Sequence, residues 1–131
     1  MSCDSNCITL QCTTLAIEPV CFNLVMVRET DNQLEVTITD GDGRALAIGA
    51  DTIDFVVKDQ IGGSVMFSKS NGPGDHSNPD LGQTIFDIEA ADTAGASSSA
   101  STYWVYEISR TTGGGETRVH IVGNLTVRPR I

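Results

Sequence analysis

The feature that most restricts the fold of this chain is a strict two-residue alternation of apolar and polar side chains. In Gln33–Thr39, Leu34, Val36 and Ile38 alternate with Glu35, Thr37 and Thr39. Successive side chains of an extended strand point to opposite faces, so the pattern describes a strand with one face buried and the other wetted. Thr52–Lys58 repeats it, with Ile53, Phe55 and Val57 set against Thr52 and Asp54. Thr102–Arg110 carries it most strongly: Trp104, Tyr106 and Ile108 share one face, Tyr103, Val105 and Glu107 the other. No segment sustains a 3.6-residue period, so long helices are not expected.

Turn signals space further strands. The apolar run in Cys21–Arg28 predicts a strand, as do Ser64–Ser68 and Thr84–Ile88. Thr117–Val122 and Asn124–Val127 predict two closing strands broken at Gly123. Asp40-Gly41-Asp42-Gly43, Gly62-Gly63 and Gly113-Gly114-Gly115 supply residues that accept positive φ. Asn71–Asp80, with two glycines and two prolines, reads as a long exposed loop; Glu89–Gly95 reads as one helical turn and Ala96–Ser101 as a flexible loop. About seven to eight short strands at this spacing argue for a sandwich or small barrel. With no helices between the strands, no parallel sheet is expected. The predicted fold is all-β, an immunoglobulin-like antiparallel β-sandwich with an extended N-terminal arm. The predicted core is Leu34, Val36, Ile38, Ile53, Phe55, Val57, Phe86, Trp104, Tyr106, Ile108, Val119, Ile121, Leu125 and Val127.

The 131 residues suit one domain and carry 8 Lys+Arg against 17 Asp+Glu, a formal charge of -9. So few cations cannot neutralise many phosphates, so no nucleic-acid partner is expected, and an anionic membrane surface is equally disfavoured. No apolar run approaches the about 20 residues of a membrane span, and no signal peptide is visible at the N-terminus. A hydrophobic fraction of 40% supplies a core and argues against wholesale disorder.

All four cysteines, Cys3, Cys7, Cys12 and Cys21, fall in the first 21 residues, and the other 110 contain none. This divides the sequence into a cysteine-rich arm, 1–20, and a β-sandwich, 21–131. The intersheet disulfide of antibody domains is therefore absent. Cysteine gaps of three, four and eight residues lack the C-x-x-C pairs of zinc ribbons and of redox motifs. Two readings stand: disulfide cross-links within the arm or between subunits, or reduced thiols packed as small apolar groups. Confinement to a poorly packed arm favours the cross-link. A covalent bond would offset the entropy lost when a flexible arm docks.

Other candidates reduce to simpler chemistry. Asp40-Gly41-Asp42-Gly43 lacks the further ligands of a calcium loop and reads as a hairpin turn. Asp75-His76-Ser77-Asn78-Pro79-Asp80 offers oxygens and an imidazole for a surface ion, but a solvated loop is the better expectation. His120, the other histidine, stands far from it in sequence. No nucleophile motif occurs, so no enzyme, no cofactor and no metal are expected. Sugar-binding modules display stacking aromatics; here Trp104 and Tyr106 fall on the core face and Tyr103 alone is a plausible exposed ring. Asn124-Leu125-Thr126 matches a glycosylation acceptor, a motif common by chance.

The order of features from Gln33 to Val127 is familiar. After the first alternating strand come Ala50-Asp51-Thr52-Ile53-Asp54-Phe55-Val56-Val57-Lys58 and then Ala91-Asp92-Thr93-Ala94-Gly95. Tyr103-Trp104-Val105-Tyr106-Glu107-Ile108 and Arg118-Val119-His120-Ile121-Val122-Gly123-Asn124-Leu125-Thr126-Val127 complete the set. The series resembles the small immunoglobulin-like modules of tailed bacteriophages, similar to the N-terminal domain of baseplate upper proteins. The resemblance implies a non-enzymatic virion component. It would be anchored to neighbouring virion proteins and to copies of itself, as a homo-oligomer in the particle. Tail, baseplate or fibre attachment is the leading place, capsid decoration the alternative, and a carbohydrate- or receptor-binding module the alternative from another class. The cysteine arm departs from the family's usual start and suggests covalent locking in the particle. In a reducing host cytosol such bonds would form late or after release.

Overall fold

Where alternation is unbroken, the chain forms strands. The computed structural model describes residues 7–13, 23–40 and 43–131. Eight strands appear: β1 (Cys7–Thr13), β2 (Asn23–Val27), β3 (Asn32–Thr39), β4 (Thr52–Lys58), β5 (Val65–Asn71), β6 (Gln83–Ile88), β7 (Thr102–Thr111) and β8 (Thr117–Arg128). Short 3-10 turns at Pro79–Leu81 and Ala90–Thr93 are the helical pieces among the described residues.

The strands form two sheets, one ordered β1-β3-β6 and the other β2-β8-β7-β4-β5. The chain crosses between sheets from β3 to β4, returns from β5 to β6 and crosses again to β7, the interlocked path of an immunoglobulin-like sandwich. The pairings among β3 to β8 are antiparallel. Two edge pairings depart from the expectation of no parallel pairing: β1 runs parallel to β3 and β2 parallel to β8. Neither joins sequence-adjacent strands of one sheet, so no hairpin dictates direction and no crossover helix is required.

The inward faces meet in one core. Leu34, Val36, Ile38, Ile53, Phe55, Val57, Phe86, Trp104, Tyr106, Ile108, Ile121, Leu125 and Val127 are all buried, as the alternation predicts. Phe55 is its hub, with ring centroids 5.9 Å from Phe67, 5.9 Å from Phe86 and 5.7 Å from Tyr106. Leu24, Met26, Ile48, Phe67, Ile88 and Ala96 join the core beyond the predicted set.

Val119 is the exception, 40% exposed. Ile108 pairs with Ile121 but Ser109 with Val119, so one extra residue, His120, enters β8 there. A bulge of this kind shifts the faces by one, which carries Val119 from the core row to the outer row. Gly123 does not break β8: it pairs with Tyr106 inside a continuous strand, because a glycine removes a side chain and not the ladder's donor and acceptor.

The Asp40 turn closes on its own backbone: the Gly43 N–H donates to the Asp40 carbonyl (3.0 Å) and the Arg44 N–H to Asp40 Oδ1 (2.9 Å). Gly41 and Asp42 lie outside the described residues. Gly82 is the position where glycine is demanded. Its φ is +68°, and a Cβ would stand 2.4 Å from the Ile38 carbonyl oxygen and 2.7 Å from that of Leu46.

Candidate interaction surface

Of the sequence-predicted site residues, Cys3 and Cys21 lie outside the described residues. Cys7 and Cys12 both fall on β1, in register with Gln33 and Ile38 of β3. Five residues along one strand separate their Cα atoms by about 17 Å, against a limit near 7 Å for a disulfide. A Cys7–Cys12 bridge is therefore incompatible with a formed β1.

The His76 loop turns inward rather than standing free. His76 Nε2 lies 2.8 Å from the Asp51 carbonyl oxygen, so it carries the proton and donates. Nδ1 lies 3.0 Å from Thr84 Oγ1, which also accepts from Asn71 Nδ2 at 2.7 Å. Thr84 is fully buried. With both ring nitrogens held by protein groups, the imidazole is not presented to an ion at the surface. The same network continues through the Asp51 side chain. Its Oδ2 accepts from Arg110 Nε (2.8 Å) and its Oδ1 from the Gly113 N–H (3.3 Å). Asp51 thus ties the start of β4, the end of β7, the β7–β8 turn and the His76 loop together.

The acidic groove lined by Asp31, Gln33, Asp87 and Glu89 is likewise built from engaged groups. Asp31 Oδ1 accepts from the Ala90 N–H (2.9 Å), and Asp87 Oδ1 accepts from Gln33 Nε2 (3.0 Å). Glu89 and Asp92 form a reciprocal capping box on the 3-10 turn, and Asp92 also pairs with Lys69 at 2.8 Å. These carboxylates stop backbone ends. Arg28 supports the same corner, donating from Nε to the Ala96 carbonyl (2.9 Å) and from Nη2 to that of Ala94 (2.8 Å).

The unusual surface is the outer face of the five-stranded sheet. Outward positions in a sandwich strand are normally polar. The outer row of the three-stranded sheet mostly obeys this, with Gln33, Glu35, Thr37, Gln83 and Asp87 and the single apolar Ile85. The outer face of the other sheet instead presents Val25 and Val27 on β2, Val56 on β4, Val65 on β5, Tyr103 and Val105 on β7, and Val119 and Val122 on β8. Tyr103 is 70% exposed, as expected from the sequence, and Ile61 at the β4–β5 turn is 86% exposed. Valine suits a strand for local reasons alone, and polar residues such as Thr126, Lys58 and Glu107 stand between several of these valines, but Val56, Val105 and Val122 gather into one apolar patch near the exposed Tyr103 ring. A shallow groove runs across its middle between Val56, Val105 and Val122, with Lys58 and Glu107 at its margins. The sequence hides this face. On β2, Leu24 and Met26 go inward and Val25 and Val27 outward, and a run apolar on both faces gives no alternation.

No protein-family model matches this chain, and no curated protein matches it in sequence. Among solved structures, it is similar to the "N-terminal domain of phage TP901-1 ORF48", at 8% identity and a TM-score of 0.44, covering 95% of this chain and 100% of that one. It is also similar to the bradyzoite-specific antigen BSR4 of Toxoplasma gondii, at 13% identity and a TM-score of 0.44, covering 98% of this chain and 51% of the antigen. Likenesses this distant carry nothing about function.

Proposed function

We propose that this chain is a non-enzymatic structural component of a phage virion, held to its neighbours through the N-terminal arm. The observation that carries the reading is where the arm meets the domain. β1 is added parallel to the outer edge of β3, and the core among the residues whose burial is described runs from Leu24 to Val127. A strand added at a sheet edge from the N-terminal arm suits an attachment element, and the sequence resemblance to bacteriophage immunoglobulin-like modules points the same way. Within the virion, the tail, baseplate or fibre-attachment apparatus is the proposed place, with head decoration the alternative. The cysteines of the arm are the proposed cross-linking groups.

The carbohydrate-binding reading is weaker. Trp104 is 4% exposed and Tyr106 2%, which leaves Tyr103 as the one broadly exposed ring among the described residues. An enzyme is not proposed, because the carboxylates around the acidic groove serve as caps and side-chain partners.

Two measurements test the proposal. A chain lacking residues 1–20 should fold, with a cooperative melt, and fail to incorporate into particles. Incorporation at full occupancy would show that the arm is not the anchor. Purified particles on reducing and non-reducing gels should differ for this chain. A monomer band in both would refute an intermolecular disulfide.

A further inference from the structure

The geometry points to the outer face of the five-stranded sheet as a self-association surface, which a second copy of this chain covers about a two-fold axis. The inference does not rest on the virion reading. Three observations carry it: the apolar character of the face, its charge and its size.

The charge selects the occupant. The chain as a whole carries -9. The outer rows of this sheet hold Asp54 and Glu107 against Lys58 and Arg128, two carboxylates and two cations, so the face is neutral and the excess negative charge lies elsewhere. An acidic protein that meets its own copy through any other large surface adds repulsion; through this one it does not.

The pairing is self-complementary. Lys58 stands opposite Val105, and Glu107 opposite Val56, so Lys58 and Glu107 are diagonal neighbours across β4 and β7, about 8 Å apart. Among the described residues neither makes an ion pair with a side chain of its own molecule. A two-fold axis in the plane of the face, midway between them and perpendicular to the line joining them, sets Lys58 of each copy over Glu107 of the other. The same axis passes close to Val56 and Val105 on the opposite diagonal and near Asn124, the partner of Val105 on β8. Both valines then meet their own copies at the centre, with the ion pairs beside them.

The size suffices. Five strands about 4.8 Å apart and about seven residues long project about 550 Å² per copy, about 1,100 Å² in all. That clears the roughly 1,000 Å² expected of a specific contact and falls among weak, concentration-dependent ones.

The test is sedimentation velocity on the full chain, in reductant so that arm disulfides cannot contribute, from about 10 μM to about 1 mM. The expected result is a monomer–dimer equilibrium in that range. Lys58→Glu and Glu107→Lys should each weaken association roughly tenfold or more, and the double reversal should restore it to within roughly threefold. Asn124→Glu, which sets like charges against each other near the axis, should weaken it similarly and serves if a reversal lowers the melting temperature. A monomer throughout, an assembly larger than a dimer, a dimer indifferent to the single reversals, or a double reversal without rescue overturns the proposal.

Discussion

Asp51→Ala should be among the most damaging single changes of a polar residue in this molecule. The Asp51 side chain is 9% exposed and that of Arg110 17%, so their 2.8 Å contact is shielded from solvent on both sides. Removing the carboxylate strips Arg110 of a charge-assisted hydrogen bond, worth about 1.5–3 kcal/mol, and leaves a half-buried guanidinium uncompensated. It also frees the Gly113 N–H from a longer bond of 3.3 Å, worth less than about 1 kcal/mol. The sum is about 3 kcal/mol, and for a chain of this length that lowers the melting temperature by about 10 °C. Asp51→Asn keeps one acceptor oxygen, enough for Arg110 Nε or the Gly113 N–H but not both, and should cost less than Asp51→Ala. Arg110→Met should cost about 2 kcal/mol, and the double variant Asp51→Ala/Arg110→Met about 3, because removing both partners leaves no uncompensated charge. Urea unfolding of the four proteins in reductant closes the cycle. If Asp51→Ala costs under about 1 kcal/mol, the pair behaves as an exposed surface bridge, and the claim that Asp51 pins this end of the sandwich is wrong.

Gly82→Ala should destabilise by roughly 3 kcal/mol or more, because the new Cβ meets two backbone carbonyls that cannot move aside as a side chain could; an expressed, normally stable variant would refute the close approach. Phe55→Ala should cost about 4–5 kcal/mol and Phe55→Leu about 2, since leucine fills much of the space but forfeits three ring contacts; equal costs for the two would remove the aromatic geometry from the account. Glu29 adopts a φ of +57°. Glu29→Gly should fall within about 1 kcal/mol of the parent, while Glu29→Val should lose about 1–2 kcal/mol, a difference that thermal melts resolve.

Much of the fold was legible because alternation is a direct image of a half-buried strand. β3, β4 and β7 follow from Leu34, Phe55, Trp104 and their periodic neighbours, and the inward face of each came with them. Three kinds of residue escaped. Ile48 is buried from a loop, where no period marks it. Val119 keeps the period in sequence but changes face at a bulge, and a bulge is a property of two strands rather than of one. The parallel edges formed by β1 and β2 depend on which distant strand lies open for pairing, which local pattern does not encode. The candidate surface was less legible still. Tyr103 was foreseen as exposed, yet the valine face appears only when the outer rows of five strands are laid side by side.

The parallel pairing of β2 with β8 has a mechanical consequence. Asn23 to Val27 lies alongside Asn124 to Arg128, and the Arg28 N–H donates to the Arg128 carbonyl at the far end. Tension between the arm, which enters at Asn23, and the chain leaving Arg128 pulls the two strands past each other along their length. The bonds of the ladder are then loaded together and must fail together, whereas an antiparallel edge pulled from adjacent ends would open one bond at a time. A domain tethered through its arm and tugged from its other end would resist in shear, the stronger of the two modes.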